Sequence, residues 1–199
     1  VYRSLSRAKH TMVSGPDGVP SLFLKTFAHC LAHPVTTLYQ FSLSTGIIPQ
    51  VWKDANVVPI YKNKDDKSDP NNYRDVSLIS NFVKPLEFAV NEAIISFCAK
   101  NRIFSAKQHG FLKGRSTVSN LLSCVKSWTD AIDRQSYVDV VYLDLRKAFN
   151  TVSHRKLIMK LKSYGISGKL LEWIKNYLSG RRQRTRVGMT FSDWVDVIS

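Results

Sequence analysis

The stretch most informative about the fold is residues 140–150, which read Val-Val-Tyr-Leu-Asp-Leu-Arg-Lys-Ala-Phe-Asn. Its first part and the three residues before it are mostly β-branched and aromatic, which predicts a buried strand over residues 137–145. Asp144 ends this strand, and burying a carboxylate there is costly unless it is paired or holds a metal. Four roles are therefore open for Asp144: an ion pair with Arg146 or Lys147, a helix N-cap, a covalent nucleophile, or a ligand of a hard cation.

The rest of the sequence predicts a mixed α+β fold that is rich in helix and has a small antiparallel sheet. Helical spacing of apolar residues covers 22–38, 83–97, 118–132, 157–164 and 170–178. Ser116 or Thr117, Ser153 and Ser167 are suited to cap the last three of these helices. Strands are predicted over 56–60, with Pro59 placing that strand at an edge or end, and over 182–189 and 191–198, joined by a tight turn.

The composition indicates a folded protein with a polyanionic partner. Of 199 residues, 44% are apolar, which excludes a disordered tail, and 29 Lys and Arg against 15 Asp and Glu give a net charge of +14. Such an excess favours nucleic acid as partner. The basic residues alternate with aromatic ones and are densest at residues 181–186. Two interpretations stay open for that segment, a groove that follows phosphates and a solvated basic surface.

The cysteines and the apolar runs indicate an intracellular protein. Cys30, Cys98 and Cys124 are too few and too widely spaced for a disulfide framework. No apolar run reaches the roughly 18 residues of a membrane span, and the first ten residues are polar and basic, unlike a signal peptide. We therefore expect a location in the nucleus or cytoplasm, no secretion and no membrane contact.

Residues 142–154 read Tyr-Leu-Asp-Leu-Arg-Lys-Ala-Phe-Asn-Thr-Val-Ser-His and resemble motif A of the reverse transcriptases of non-LTR retrotransposons, the jockey-like and LINE-like group. Other landmarks of that family stand in the same order. They are the Gly-Pro-Asp-Gly turn at 15–18, the first fingers motif at 52–62 and 72–78, the second fingers motif at 108–117, and the segment after motif A at 165–183. The resemblance covers nearly the whole chain, and the shared order of its motifs argues against chance agreement.

The resemblance implies the architecture of a right-hand polymerase. Residues 1–136 would form a fingers-like region and residues 137–199 the beginning of the palm. This palm is expected to be incomplete, because the paired-Asp motif of the family and its thumb are absent from these residues. Residues 1–199 alone are therefore expected to be inactive.

The resemblance also implies an activity, RNA-directed DNA polymerisation. The partners would be an RNA template, a DNA primer and deoxynucleoside triphosphates, and the cofactor would be Mg²⁺, two ions in the complete enzyme. Asp144 would be the catalytic ligand of both ions, and the carbonyl of Leu145 would add a ligand to one of them. Oligomeric state is not implied.

Five further residues take roles from the same resemblance. Lys62 and Arg74 would clamp the triphosphate, for which an Arg fork and a Lys point charge are chemically suited. Phe149 would be the ring that excludes a ribose 2′-hydroxyl, and Gly114 and Arg115 would lie at the template. Simpler interpretations remain for four of them: a solvated loop for Lys62, a core ring for Phe149, and a turn with a helix cap for Gly114 and Arg115.

The sequence departs from the family pattern at two positions. Asn150 replaces an Asp, and Asp75 replaces a Pro next to Arg74. These changes keep an alternative function open, that of a non-catalytic, nucleic-acid-binding remnant of such an element. A third possibility is a basic interaction module unrelated to polymerases.

Overall fold

The computed structural model describes residues 1–63, 66–145 and 148–197, except for the side chains of residues 149 and 150. The fold is mixed α+β and rich in helix, as predicted. The helices are α1 (Tyr2–Ser6), α2 (Ser21–Thr26), α3 (Ala28–Thr45), α4 (Gln50–Lys53), α5 (Lys84–Lys100), α6 (Thr117–Asp133), α7 (His154–Ser163) and α8 (Gly168–Leu178). The strands are β1 (Asp54–Tyr61), β2 (Tyr73–Ile79), β3 (Arg182–Val187), β4 (Thr190–Phe191) and β5 (Val195–Asp196). None of the helices formed by the described residues has both the length and the apolar character needed to cross a membrane.

Two compact units make up the chain. The first combines Val1–Ala93 with Thr151–Ser199, and the second is Ile94–Asn150. The boundary after Ala93 falls inside α5, so the two units do not divide at the end of a secondary-structure element. The division predicted at residue 136 separates fingers from palm by function, and it stays a prediction.

The sheet belongs to the first unit and has the strand order β2-β1-β3-β4, with β5 also paired to β3. Strand β1 runs antiparallel to β2 and parallel to β3, while β4 and β5 are antiparallel to β3. The predicted antiparallel sheet is thus wrong in one respect, since the sheet is mixed. Parallel neighbours need a long connection, and the chain between β1 and β3 is long enough to contain several helices.

Strand β1 corrects a second expectation. Pro59 predicted a position at an edge or end, yet β1 lies between β2 and β3. In the described part of the chain, only Asp54 to Val57 pair with β3, so Pro59 lies beyond that pairing and has β2 alone as its neighbour. A proline is tolerated there because the β3 ladder has already ended. Strand β2 was not predicted, because the adjacent charges of Arg74 and Asp75 obscure its alternation.

The buried strand predicted over residues 137–145 is wrong. These residues form no strand, and Val141, Tyr142 and Leu143 are 79%, 85% and 91% exposed. Apolar, β-branched composition marks what a strand would bury, but a strand also needs a neighbour to satisfy its backbone N–H and C=O groups. No strand in the described part of the chain pairs with this segment.

Helix α8 organises the core of the first unit. The side chain of Trp173 is 2% exposed, and its Nε1 donates a hydrogen bond of 3.0 Å to Ser42 Oγ in α3. One turn later, the Tyr177 hydroxyl donates to the Glu87 carboxylate in α5. The Tyr177 ring stacks on Trp173 with centroids 5.0 Å apart. The apolar face of α8 is therefore buried, and polar bonds fix its position against α3 and α5.

Several predicted helix ends are confirmed. Ser116 and Ser119 form a reciprocal capping box at the start of α6, and Ser153 Oγ accepts from Lys156 N at the start of α7. Ser167 precedes α8 but makes no side-chain cap bond. Most of the apolar side chains of α6 are not part of a core. At least half of the surface of each is exposed in Val118, Leu121, Leu122, Val125 and Ile132.

Candidate functional site

A cleft of about 260 Å³ lies at the end of the β1–β2 pair and is lined by Ile60, Tyr61, Lys62 and Arg74. The antiparallel register sets Ile60 opposite Arg74, and Lys62 follows directly after β1. The two residues predicted to bind a triphosphate therefore line one cleft. Two cations at one concave surface favour an anionic ligand.

The two cations of this cleft differ in how they are held. Lys62 Nζ donates 2.7 Å to the carbonyl of Asn71, so its amine also closes the loop between β1 and β2. The exposed Arg74 guanidinium makes no hydrogen bond or ion pair with the residues that the structure describes. Alternation along β2 places Asp75 on the opposite face from Arg74. Asp75 therefore does not add its charge to the Arg74 side of the strand.

The loop before α6 holds the two predicted template residues. Gly114 has φ +78° with open space where a Cβ would stand, so the left-handed backbone favours glycine there. Arg115 donates through Nη1 to the carbonyl of Gln108 at 2.7 Å and to that of Ala106. The guanidinium thus stabilises its own loop. Template contacts of Gly114 and Arg115 stay predictions.

Asp144 is exposed, so the premise that it is a buried carboxylate is wrong. It makes no hydrogen bond or ion pair with the part of the chain that the structure describes, and the helical turn that follows begins only at Ala148. Arg146 and Lys147, the predicted alternative partners, lie outside the described residues. Leu145 is 76% exposed. The carboxylate is therefore accessible to a ligand from solution.

The predicted gate residue is placed only through its backbone. Phe149 lies in the short 3-10 helix Ala148–Thr151. Its side chain and that of Asn150 lie outside the described part. The choice between a sugar-contacting ring and a core ring therefore stays a prediction.

The sequence did not predict the ion pair that joins β1 to β3. Arg182 donates to the Asp54 carboxylate through Nε at 3.1 Å and through Nη2 at 2.8 Å. Asp54 is 6% exposed and also accepts 2.8 Å from Gln50 Nε2. The hydrogen bonds and charge of Asp54 raise the pKa of Arg182 further above its usual value. One arginine of the basic segment is thus already paired and not free for phosphate.

The Gly-Pro-Asp-Gly turn is held against the end of β2. A Cβ on Gly15 would lie 2.4 Å from the carbonyl carbon of Ile79, so only glycine fits. Asp17 accepts from the Ser80 hydroxyl and, at 3.2 Å, from the backbone N–H of Val19. The sequence indicated a turn at this position, and the structure adds that it anchors the N-terminal segment to the sheet.

Comparison with known families decides the class of this site. The sequence matches the family described as reverse transcriptase (RNA-dependent DNA polymerase) over residues 61–194, more than half of the chain. The chain belongs to the reverse transcriptase family. The matched region contains Lys62, Arg74, the loop before α6 and Asp144. The resemblance seen in the sequence motifs is thereby confirmed, and an unrelated interaction module is excluded.

Individual reverse transcriptase relatives point to non-LTR elements. The chain is 29% identical over 184 residues to the probable RNA-directed DNA polymerase from transposon BS of Drosophila melanogaster. It is 27% identical over 186 residues to the probable RNA-directed DNA polymerase from transposon X-element of the same species. It is 28% identical over 182 residues to the RNA-directed DNA polymerase from mobile element jockey of Drosophila funebris. These matches cover 89%, 94% and 92% of the chain but only 20% of each relative, so the chain spans about a fifth of their length.

Proposed function

We propose that this chain supplies the fingers and the start of the palm of an RNA-directed DNA polymerase of a non-LTR mobile element. The family match over residues 61–194 carries the proposal. The relatives named as RNA-directed DNA polymerases, and the order of the motifs around Asp144, support it. The substrates would be an RNA template, a DNA primer and deoxynucleoside triphosphates.

The cleft at the end of the β1–β2 pair supports a nucleotide role for Lys62 and Arg74. Both residues line it, and the Arg74 guanidinium has its donors available. A guanidinium presents two parallel N–H groups to phosphate oxygens, and a lysine adds a point charge. We assign Arg74 the main contact with the triphosphate, because the Lys62 amine already bonds to the carbonyl of Asn71.

Asp144 and Leu145 fit one part of a magnesium site. Both are exposed, and a carboxylate with a backbone carbonyl forms the hard oxygen donor set that Mg²⁺ prefers. When bound, two Mg²⁺ ions would neutralise the triphosphate and activate the primer 3′ hydroxyl. Asp144 would hold a negative charge at the position where these cations meet the nucleotide, and Leu145 would orient its carbonyl toward the same place.

Residues 1–199 alone should not extend a primer. Among the residues that the structure describes, no group of three or more His, Cys, Asp or Glu side chains could hold a metal ion. One carboxylate is too little negative charge to hold two divalent cations close together, since their mutual repulsion must be offset. Further acidic residues from a complete palm would be required.

Primer extension by a complete polymerase tests this proposal. The enzyme would combine this segment with the remaining palm and thumb of a jockey-type relative. We expect Asp144→Ala to lower extension of a primed RNA template more than about a hundredfold. Loss of a residue that only hydrogen-bonds to a metal ligand typically costs about 10–100-fold in activity, and loss of the ligand itself should cost more. Asp139→Ala is the matched control, since Asp139 is an exposed acid in the same segment, and it should change the rate less than about threefold. Equal losses in both variants would remove Asp144 from the metal site.

The same enzyme tests the alternative of a non-catalytic remnant. Asn150 in place of an acid is the observation that favours the remnant. If extension is absent with Asp144 intact and returns with Asn150→Asp, this copy is a binding remnant. Activity with Asn150 in place would show that the position tolerates an amide.

A further inference from the structure

Strand β3 and the segment after it form a surface of alternating arginine and aromatic side chains. Because side chains alternate along a strand, Arg182, Arg184 and Arg186 share one face of β3. The Arg184 guanidinium carbon lies 4.0 Å from the ring centre of Phe191 and 4.5 Å from that of Trp194. Arg186 lies 5.7 Å from the ring centre of Phe191. We call Arg184, Arg186, Phe191 and Trp194 the arginine–aromatic face.

The arginines of this strand differ in charge pairing. Arg182 is matched by Asp54 in a two-bond ion pair. Arg184 uses Nε to donate 2.9 Å to the neutral Asn56 amide oxygen, and Arg186 uses Nε to donate 3.0 Å to the carbonyl of Gly188. Neither has an ion pair with the described residues. Two cations thus keep their full charge at a partly exposed surface.

The way Arg184 and Arg186 are held leaves their phosphate-binding edges available. In each, the hydrogen bond to the protein engages Nε, while a neighbouring ring restrains the guanidinium plane. The terminal Nη groups are the donors that grip phosphate oxygens in pairs. Restraint before binding lowers the entropy lost when a phosphate docks. The two restrained guanidinium groups are therefore suited to bind the phosphates of a nucleic-acid backbone.

The aromatic side chains of the arginine–aromatic face favour single-stranded over double-stranded nucleic acid. Phe191 is 41% exposed, so part of its ring is open to contact. Exposed rings beside cations bind unpaired bases by stacking, whereas a duplex keeps its base faces stacked internally. We propose that the arginine–aromatic face binds single-stranded nucleic acid, with phosphates at Arg184 and Arg186 and a base against Phe191. This proposal rests on the proposed function in one respect: it assumes that the polyanion bound by the chain is a nucleic acid.

Binding of short oligonucleotides to the 199-residue protein tests the proposal. The probes are fluorescently labelled twelve-nucleotide oligo(U) and oligo(dT), followed by anisotropy between about 50 and 200 mM salt. The double variant Arg184→Gln/Arg186→Gln should bind about tenfold more weakly, and the slope of log K against log salt should fall by about 1.4, or about 0.7 for each lost phosphate contact. Phe191→Leu should weaken binding about fivefold while leaving that slope unchanged.

Arg3→Gln/Arg7→Gln is the matched control, because it removes the same charge from exposed positions of the same unit. It should weaken binding less than about twofold at the higher salt. Equal losses in the two double variants would show attraction by net charge alone and would overturn the proposal. The single variant Arg186→Gln removes only a hydrogen bond to the carbonyl of nearby Gly188, so it keeps the test valid if Arg184→Gln disturbs folding.

Tryptophan fluorescence locates the bound strand. Trp52 and Trp173 are buried, whereas Trp128 and Trp194 are partly exposed, so a base stacking at the face should still quench the fluorescence of Trp128→Phe. We expect quenching in the wild type and its loss in Trp194→Phe. The RNA and DNA arms show which strand is bound, and weakening in either arm supports the proposal. Binding in neither arm by the wild type overturns it, whereas the polymerase proposal is judged separately by the Asp144 primer-extension result.

Discussion

Strand β1 and the segment 137–145 have similar apolar sequences but different environments. Val57 in β1 is 9% exposed and has strands on both sides, whereas Val141 is 79% exposed and has none among the described residues. The sequence alone predicts both segments as strands. Apolar composition therefore shows which segments tend to become strands, and the available partners decide which of them do.

This contrast separates two parts of the proposed active site. Arg74 lies on β2, so the pairing of β2 with β1 fixes its position within this chain. Asp144 lies in a segment without strand pairing to the described residues. The β1–β2 pair of the first unit therefore already positions the cation that we propose as the nucleotide contact. The carboxylate that we propose as a metal ligand would be fixed in the same way only if further palm strands pair with residues 137–145.

Hydrogen exchange should give the largest difference between the two regions. Amides in the centre of β1, such as that of Val57, are paired and buried, so they should exchange only when the unit unfolds. Amides over residues 137–145 form no strand ladder with the described residues that would protect them. We expect exchange at Val57 to be slower than at Val141 by about a thousandfold or more. Comparable protection at both would show that residues 137–145 pair with a strand after all.

The helices were easier to predict than the sheet, for a physical reason. The signals for α6 and α7 are local, since a serine cap and apolar spacing lie within one stretch of sequence. The pairing of β1 with β3 is held by Arg182 and Asp54, 128 residues apart, and no local pattern encodes it. For the same reason the sequence placed Lys62 and Arg74 by motif but could not show that they share a cleft.

Trp173→Ala should cause the largest change in stability. Trp173 is almost fully buried and donates to Ser42 Oγ, so its removal leaves a cavity and takes away one of the two hydrogen bonds of that hydroxyl, the other being its bond to the carbonyl of Ile47. The free energy of unfolding should fall by about 3–5 kcal/mol. The matched variant Tyr142→Ala removes an aromatic ring that is 85% exposed and should change it by less than about 0.5 kcal/mol. Urea denaturation measures both values. A larger loss for Tyr142→Ala would mean that residues 137–145 are packed.

Alkaline pH should destabilise the first unit through its buried tyrosines. Burial raises the pKa of Tyr39 and of Tyr177, and the charge of Glu87 raises that of Tyr177 further. Above about pH 10 the unfolded chain loses these protons while the folded chain keeps them, so stability falls as pH rises. The slope should be up to about 1.4 kcal/mol per pH unit for each tyrosine.

Tyr177→Phe separates this effect from that of Lys53. Burial and the charge of Arg181 lower the pKa of Lys53, so near its usual pKa the unfolded chain binds more protons there and stability rises with pH. The difference between wild type and Tyr177→Phe cancels that contribution. Denaturation between pH 9 and 11.5 should show a shallower decline in the variant. An unchanged slope would mean that the Tyr177 hydroxyl is not buried in solution.

Asp144→Asn should have the smallest effect on stability, and it tests the contrast most directly. Asp144 is exposed and unbonded to the described residues, so the free energy of unfolding should change by less than about 0.5 kcal/mol. Asp54→Asn, in a buried pair, should lower it by about 1 kcal/mol or more. A carboxylate that folding does not require, but whose loss stops primer extension, has a role in the reaction. If Asp144→Asn instead destabilises the protein as much as Asp54→Asn, the carboxylate stabilises the fold, and loss of extension in an Asp144 variant would no longer identify a metal ligand.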